Sequence, residues 1–200
     1  MQYKVIFFDW GGVIANDPGD EFLGDLLTSI GATEQQKKEI FQTYMVRFME
    51  GKITERDYWE ALRQKYGLAI HDTISEEFKK WKGLVANQEV LALARQAQQK
   101  GVKVAILSNV IEPTYNVIKQ AGYYDLFDDV IASCKEGCAK PQKEIYELAL
   151  ERLHVQAKES LFIDDKQLCL DPATELGMAT LLAKDPAQLV ADLQGIIANP

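Results

Sequence analysis

The chain has 200 residues, 47% hydrophobic and 26% charged, with a formal net charge of −8. That suits one domain, or one domain with an insert, and supplies enough apolar side chains for a core. The acidic balance argues against nucleic acid as a partner, because binding a phosphate backbone needs a basic face. It leaves room for a small phosphorylated substrate in a cleft where a few lysines and a cation set the local field.

From the N-terminus, Val5–Phe8 is an uninterrupted apolar run and is predicted to be a buried strand. It leads directly into Asp9, within "FFDWGGVI". Gly11 and Gly12 permit a tight turn there and let a main-chain carbonyl approach a bound ion. Residues 16–85 contain no convincing strand. Thr33 and Gln36 make a capping box. After it Ile40, Phe41, Tyr44, Met45, Phe48 and Met49 fall in i, i+4 rows. Tyr58, Trp59, Leu62 and Tyr66 line one face of a second helix that stops at Gly67. This interval reads as a helical insert whose rows are mostly packing, and an insert placed there can close over the carboxyl end of the sheet. Asn16, Asp17 and Asp20 are close enough in sequence to Asp9 for substrate contact or proton transfer.

The next helix carries Val90, Leu91, Leu93, Ala94 and Ala97 and ends at Gly101. A strand at Val102–Leu107 runs into Ser108 and Asn109, and another is expected at Val130–Ala132. Cys134 and Cys138 form a C-x3-C, with Cys169 making an odd count and His71 and His154 both distant. Reduced thiols in a loop are expected there rather than a zinc site. Lys140 precedes a helix for which Pro141 is predicted as the first residue, with Ile145, Tyr146, Leu148, Ala149 and Leu153 on one side. A strand at Leu161–Ile163 ends on Asp164 and Asp165, and a last strand is expected at Ala179–Leu182. No apolar run approaches the roughly 18–20 residues that span a bilayer, and no signal peptide pattern opens the chain. A cytoplasmic protein with no membrane partner is expected.

About five strands alternating with helices predict an α/β fold: a doubly wound, Rossmann-like parallel sheet. Its core would comprise residues 1–15 and 86–200, with a small all-helical cap at 16–85 inserted after strand 1. In such a sheet Asp9, Ser108–Asn109, Lys140 and Asp164–Asp165 all lie at carboxyl ends of strands and converge on one crevice. Each alone has a plain structural reading. A strand-end Asp is often a turn residue, Ser108–Asn109 can cap the helix containing Pro113, and a single Lys is usually on the surface. Together they are chemically complementary. Clustered carboxylates repel unless a hard cation such as Mg2+ joins them. A Lys adds positive charge, while Ser and Asn donate to phosphate oxygens. A carboxylate in line with phosphorus can attack it and form an aspartyl phosphate.

With "FFDWGGVI", "ILSN", "KPQKEIY" and "LFIDDKQLCLDPATELGM", the chain resembles the haloacid dehalogenase-like (HAD) hydrolase superfamily, in its phosphatase branch with a small helical cap. "FDxGGV" and the stretch "FMEGKIT" look most like glucose-1-phosphate phosphatase-like members. The resemblance implies a Mg2+-dependent phosphatase acting on a small phosphorylated metabolite, a sugar phosphate among the candidates, as a monomer or homodimer. It assigns Asp9 as nucleophile and metal ligand and the Gly11 carbonyl to the metal. Ser108 and Asn109 go to phosphate, Lys140 to nucleophile and phosphate, and Asp165 with Asp164 to the metal. Two positions depart from the family's common pattern: Gly11 stands where many members carry an acid–base Asp, and Cys169 where Asn or Asp is frequent. They motivate an alternative, a weak or inactive relative that binds phosphate or a partner. A metal-independent dehalogenase is a third reading, in which Asp164–Asp165 would have no use.

Overall fold

The computed structural model describes residues 3–15, 19–72, 74–77 and 85–198. Five strands, β1 (Val5–Phe8), β2 (Lys103–Ser108), β3 (Asp129–Ala132), β4 (Ser160–Asp164) and β5 (Ala179–Leu182), form one parallel sheet in the order β3-β2-β1-β4-β5. The α/β fold expected from the alternating pattern is the one found. β1 is central, and all four of its side chains are fully buried. Burying each such side chain contributes about 1.5–3 kcal/mol, an upper figure.

The helices follow in chain order. α1 (Gly19–Ser29), α2 (Glu34–Ile40), a π-turn (Phe41–Met45), α3 (Val46–Met49), α4 (Glu55–Tyr66) and α5 (Ile74–Glu77) fall between β1 and β2. α6 (Gln88–Gln99) precedes β2, and α7 (Glu112–Gln120) follows it. α8 (Ser133–Glu136) and α9 (Lys143–Leu153) lie between β3 and β4, α10 (Gln167–Glu175) between β4 and β5, and α11 (Pro186–Ala198) after β5. Because side chains alternate along a strand, Ile6 and Phe8 face one side of the sheet and pack with α6 and α11. Val5 and Phe7 face the other side and pack with α9 and α10.

Residues of α1 to α5 build an apolar cluster of their own, including Leu27, Ile40, Phe48, Tyr58 and Leu62, and among the described residues only Ile111 joins it from beyond β2. The capping box at Thr33 and Gln36 is present, and Thr54 with Asp57 makes a second one. Gly67 ends α4 in the left-handed conformation. The chain leaves and returns through one point: Ala15 bridges Ala86, and Asn87 N donates to Ile14 O at 2.6 Å.

Two local expectations are corrected. Pro141 is not the first residue of α9. Gln142 N donates to Ala139 O at 2.8 Å, closing a turn that holds Lys140 and Pro141 outside the helix, and the Lys140–Pro141 peptide is cis. Cys134 lies in α8 rather than a loop, and Cys134, Cys138 and Cys169 are not joined in disulfides. Among the described residues no helix is long and apolar enough to cross a membrane.

Candidate active site

The strand order reverses direction at β1. β2 and β3 extend to one side of it, β4 and β5 to the other, and the crevice at such a switch point opens at the strands' carboxyl ends. Asp9 follows β1 and Asp164 ends β4, so both lie at this point. The backbone continues the register, since Asp9 N donates to Ile163 O at 2.9 Å.

Lys140 is buried between them. Its Nζ is 2.6 Å from Asp164 Oδ2 and 3.0 Å from Asp9 Oδ1. Asp9 Oδ1 also accepts from Trp10 N at 2.8 Å. The Trp10 ring packs edge-on against Tyr123 and Tyr124, with centroids 5.3 and 5.9 Å away, which anchors the turn after the carboxylate. Asp164 Oδ1 accepts from Lys166 N at 2.8 Å. Asn109 spends its side chain on the Lys140 peptide: Nδ2 donates to Lys140 O and Oδ1 accepts from Lys140 N, both at 2.8 Å. It does not cap α7, whose N-cap residue is Ile111. Ser108, the last residue of β2, is buried and lines the same cavity.

The electrostatics follow from burial. Desolvation pulls the Lys140 ammonium down, but Asp9 and Asp164 outweigh it and hold the group above its ordinary value. Burial and then the Asp9 charge push the Asp164 carboxyl up to about 6, against the pull of Lys140. The same two causes raise Asp165. Asp9, Asp164 and Asp165 each bring one carboxylate oxygen within 4.8 Å of the others. Lys140 and Lys166 against three carboxylates leave negative charge uncompensated, and a hard oxygen donor set of this kind fits a divalent cation such as Mg2+.

The glycines have distinct reasons. Gly12 sits at φ +71°, and a Cβ there would lie 2.5 Å from Asp165 Cγ, so the turn must be bare for Asp165 to approach. Gly11 lines the cavity. Cys169 lines it too, its thiol pushed by burial up to about 12. Asp171 stands apart and accepts from Gln167 Nε2 at 2.7 Å.

The cavity has a volume of about 470 Å³. Every residue expected at the site lines it except Asp164, which lies behind Lys140 and is fully buried. The insert adds Glu21 from α1, Phe41 from the π-turn and Met49 from α3 to the lining, a second wall beside the charged one. Sequence reasoning did not single out Glu21, because its role depends on how the insert sits on the sheet. That seat has a visible contact. Glu50 Oε1 accepts from Gln142 Nε2 at 2.5 Å, and Gly51 lies so close to α8 that a Cβ would meet Cys134 O at 2.2 Å. Asn16, Asp17 and the side chain of Asp20 lie outside the described residues.

Comparison with known proteins accords with this geometry. A family model described as haloacid dehalogenase-like hydrolase matches residues 3–167. A sesquiterpene phosphatase, astK, of Aspergillus oryzae is 29% identical over 201 residues, covering 98% of this chain and 97% of that protein. Bifunctional epoxide hydrolase 2 of Mus musculus is 36% identical over 225 residues, but this chain covers only 39% of its length. Among solved structures, a HAD family enzyme of Bacteroides thetaiotaomicron in complex with magnesium and inorganic phosphate superposes with a TM-score of 0.72. It is 22% identical, with 90% of this chain and 93% of that one covered, a likeness that shows the fold.

Proposed function

The chain belongs to the haloacid dehalogenase-like hydrolase family, and on that premise we propose that it is a Mg2+-dependent phosphatase of a small phosphorylated metabolite. The observation that carries this is the set of three carboxylates within 4.8 Å of one another, with Lys140 bridging two of them at the switch point of the sheet. Residues 1–15 and 86–200 act as the catalytic core and 16–85 as a cap that supplies the second wall.

In this reading Asp9 attacks phosphorus, forming an aspartyl phosphate that water then hydrolyses. Lys140 neutralises Asp9 and draws the phosphoryl oxygens, and the Ser108 hydroxyl donates to them. Asn109 serves phosphate through its position, because its side chain fixes the Lys140 peptide. Asp9, Asp164, Asp165 and the Gly11 carbonyl would hold Mg2+, which offsets the charge of the phosphoryl group when bound. The resting arrangement already separates the roles. Asp164 is tied to Lys140 and the Lys166 amide, while Asp165 faces the cavity, which supports Asp165 as the more direct ligand.

Phe41 and Met49 make part of the cap wall apolar. That wall and the near-full-length likeness to a sesquiterpene phosphatase support testing terpenoid and alkyl phosphates beside sugar phosphates. The test is inorganic phosphate release from such a panel and one activated aryl phosphate, with Mg2+ and with chelator. Asp9→Asn is expected to lower the rate by about 10⁴-fold or more, and chelator to abolish it. Release that persists in Asp9→Asn would refute the mechanism. Silence across the panel would favour a phosphate-binding relative without turnover.

A further inference from the structure

Cleaving an unactivated phosphate ester leaves an alkoxide, whose departure needs a proton. Gly11 has no side chain to give one. Among the described residues, the ionisable groups lining the cavity are Asp9, Glu21, Lys140, Asp165, Lys166 and Cys169. Asp9 is committed to attack. Lys140 is locked between two carboxylates. Asp165 packs against Gly12 beside Asp9, in the cluster suited to a cation. The Cys169 thiol, at about 12, is too weak an acid to serve. Lys166 lies beside the acidic pair on the core wall, where an ammonium is a weak acid and offers no lone pair as a base. Glu21 is a carboxyl group brought to the lining by the insert, exposed, and no cation pairs with it among the described residues. Glu21 belongs to the insert and Asp9 to the end of β1, so the two reach the cavity from different parts of the fold.

Resting on the phosphatase reading above, we propose that Glu21 carries the proton for both steps of the reaction. As the Asp9 oxygen bonds to phosphorus, the phosphorus–ester oxygen bond breaks and its electron pair goes to the ester oxygen. That oxygen takes the proton of the Glu21 carboxyl and leaves as an alcohol. The Glu21 carboxylate then accepts a proton from the water that attacks the aspartyl phosphate. The bond between phosphorus and Asp9 breaks, its electron pair returns to the Asp9 carboxylate, and Glu21 is protonated again. The catalytic proton thus comes from the insert and the nucleophile from the sheet.

The test uses the full chain with Mg2+, an alkyl phosphate, and p-nitrophenyl phosphate, whose leaving group needs no proton. Glu21→Gln is expected to lower the ratio of alkyl to aryl kcat/KM, which reports the step that expels the leaving group, by about 10²-fold, with Glu21→Asp recovering part of it. Surviving aryl turnover shows that the variant is folded. An equal loss of kcat/KM on both substrates, or a rise in KM alone, overturns the proposal and makes Glu21 a binding residue. A selective loss in Asp17→Asn or Asp20→Asn but not in Glu21→Gln also overturns it. No release from either substrate by the unsubstituted chain refutes the phosphatase reading itself, a result distinct from those.

Discussion

The two walls of the cavity are built by different forces. On the sheet side, Asp9, Asn109, Lys140 and Asp164 are each held by hydrogen bonds of 2.6–3.0 Å to one another or to neighbouring backbone. On the insert side, Phe41 and Met49 are placed by apolar packing, and Glu21 is exposed. A polar network has few arrangements and fixes atoms closely; apolar packing tolerates exchange of shape. On the proposed reading, the nucleophile and the metal ligands therefore sit on the wall that cannot shift, and the proton donor and the fit to the leaving group on the wall that can be remodelled.

That contrast is sharpest at Lys140. Lys140→Ala leaves Asp9 and Asp164 without their shared cation. It is expected to lower kcat by at least about 10³-fold and stability by about 3–5 kcal/mol, read by phosphate release and urea unfolding. Added Mg2+ should recover part of the stability but not the rate. Asn109→Ala comes next. It removes both bonds to the Lys140 peptide and is expected to cost about 1–2 kcal/mol and roughly tenfold in kcat, with KM little changed. Phe41→Ala should be the mildest: a KM for apolar substrates raised up to about tenfold, kcat within about threefold and a small change in melting temperature, since Phe41 is only half-buried. If Phe41→Ala reduced kcat as far as Asn109→Ala does, the division between the walls would fail.

Much of the sheet was legible because a strand buried on both faces is written as an apolar run. β1 and β5 have the bounds expected. Ser108 and Asp164 were expected just after their strands but end them, pairing with Ala132 and Leu182. Hydropathy does not report backbone pairing, so a polar last residue is misplaced by one. The convergence of Asp9 and the acidic pair was legible from strand ends, whereas Lys140 reaches them from the turn after α8, eight residues beyond β3. The π-turn was not, because i, i+4 rows look alike whether the backbone is α or locally widened. Glu21, Phe41 and Met49 as a wall were not legible either. Their place depends on the seat of the insert at Glu50 and Gly51, which no local pattern encodes.

The position of β1 also bears on how the chain folds. Val5 pairs with Lys103 on one side and Ser160 on the other, so the central strand of the sheet waits for partners made much later. Such distant pairings slow folding, and an unpaired apolar strand is prone to aggregate meanwhile. The bridge between Ala15 and Ala86 shortens the wait. Once the insert has packed its own helices, the loop separating β1 from β2 is effectively cut to about a quarter, lowering the entropic cost of closure by roughly 1.2 kcal/mol. The segment that walls the cavity in the finished protein thus also helps the sheet to assemble.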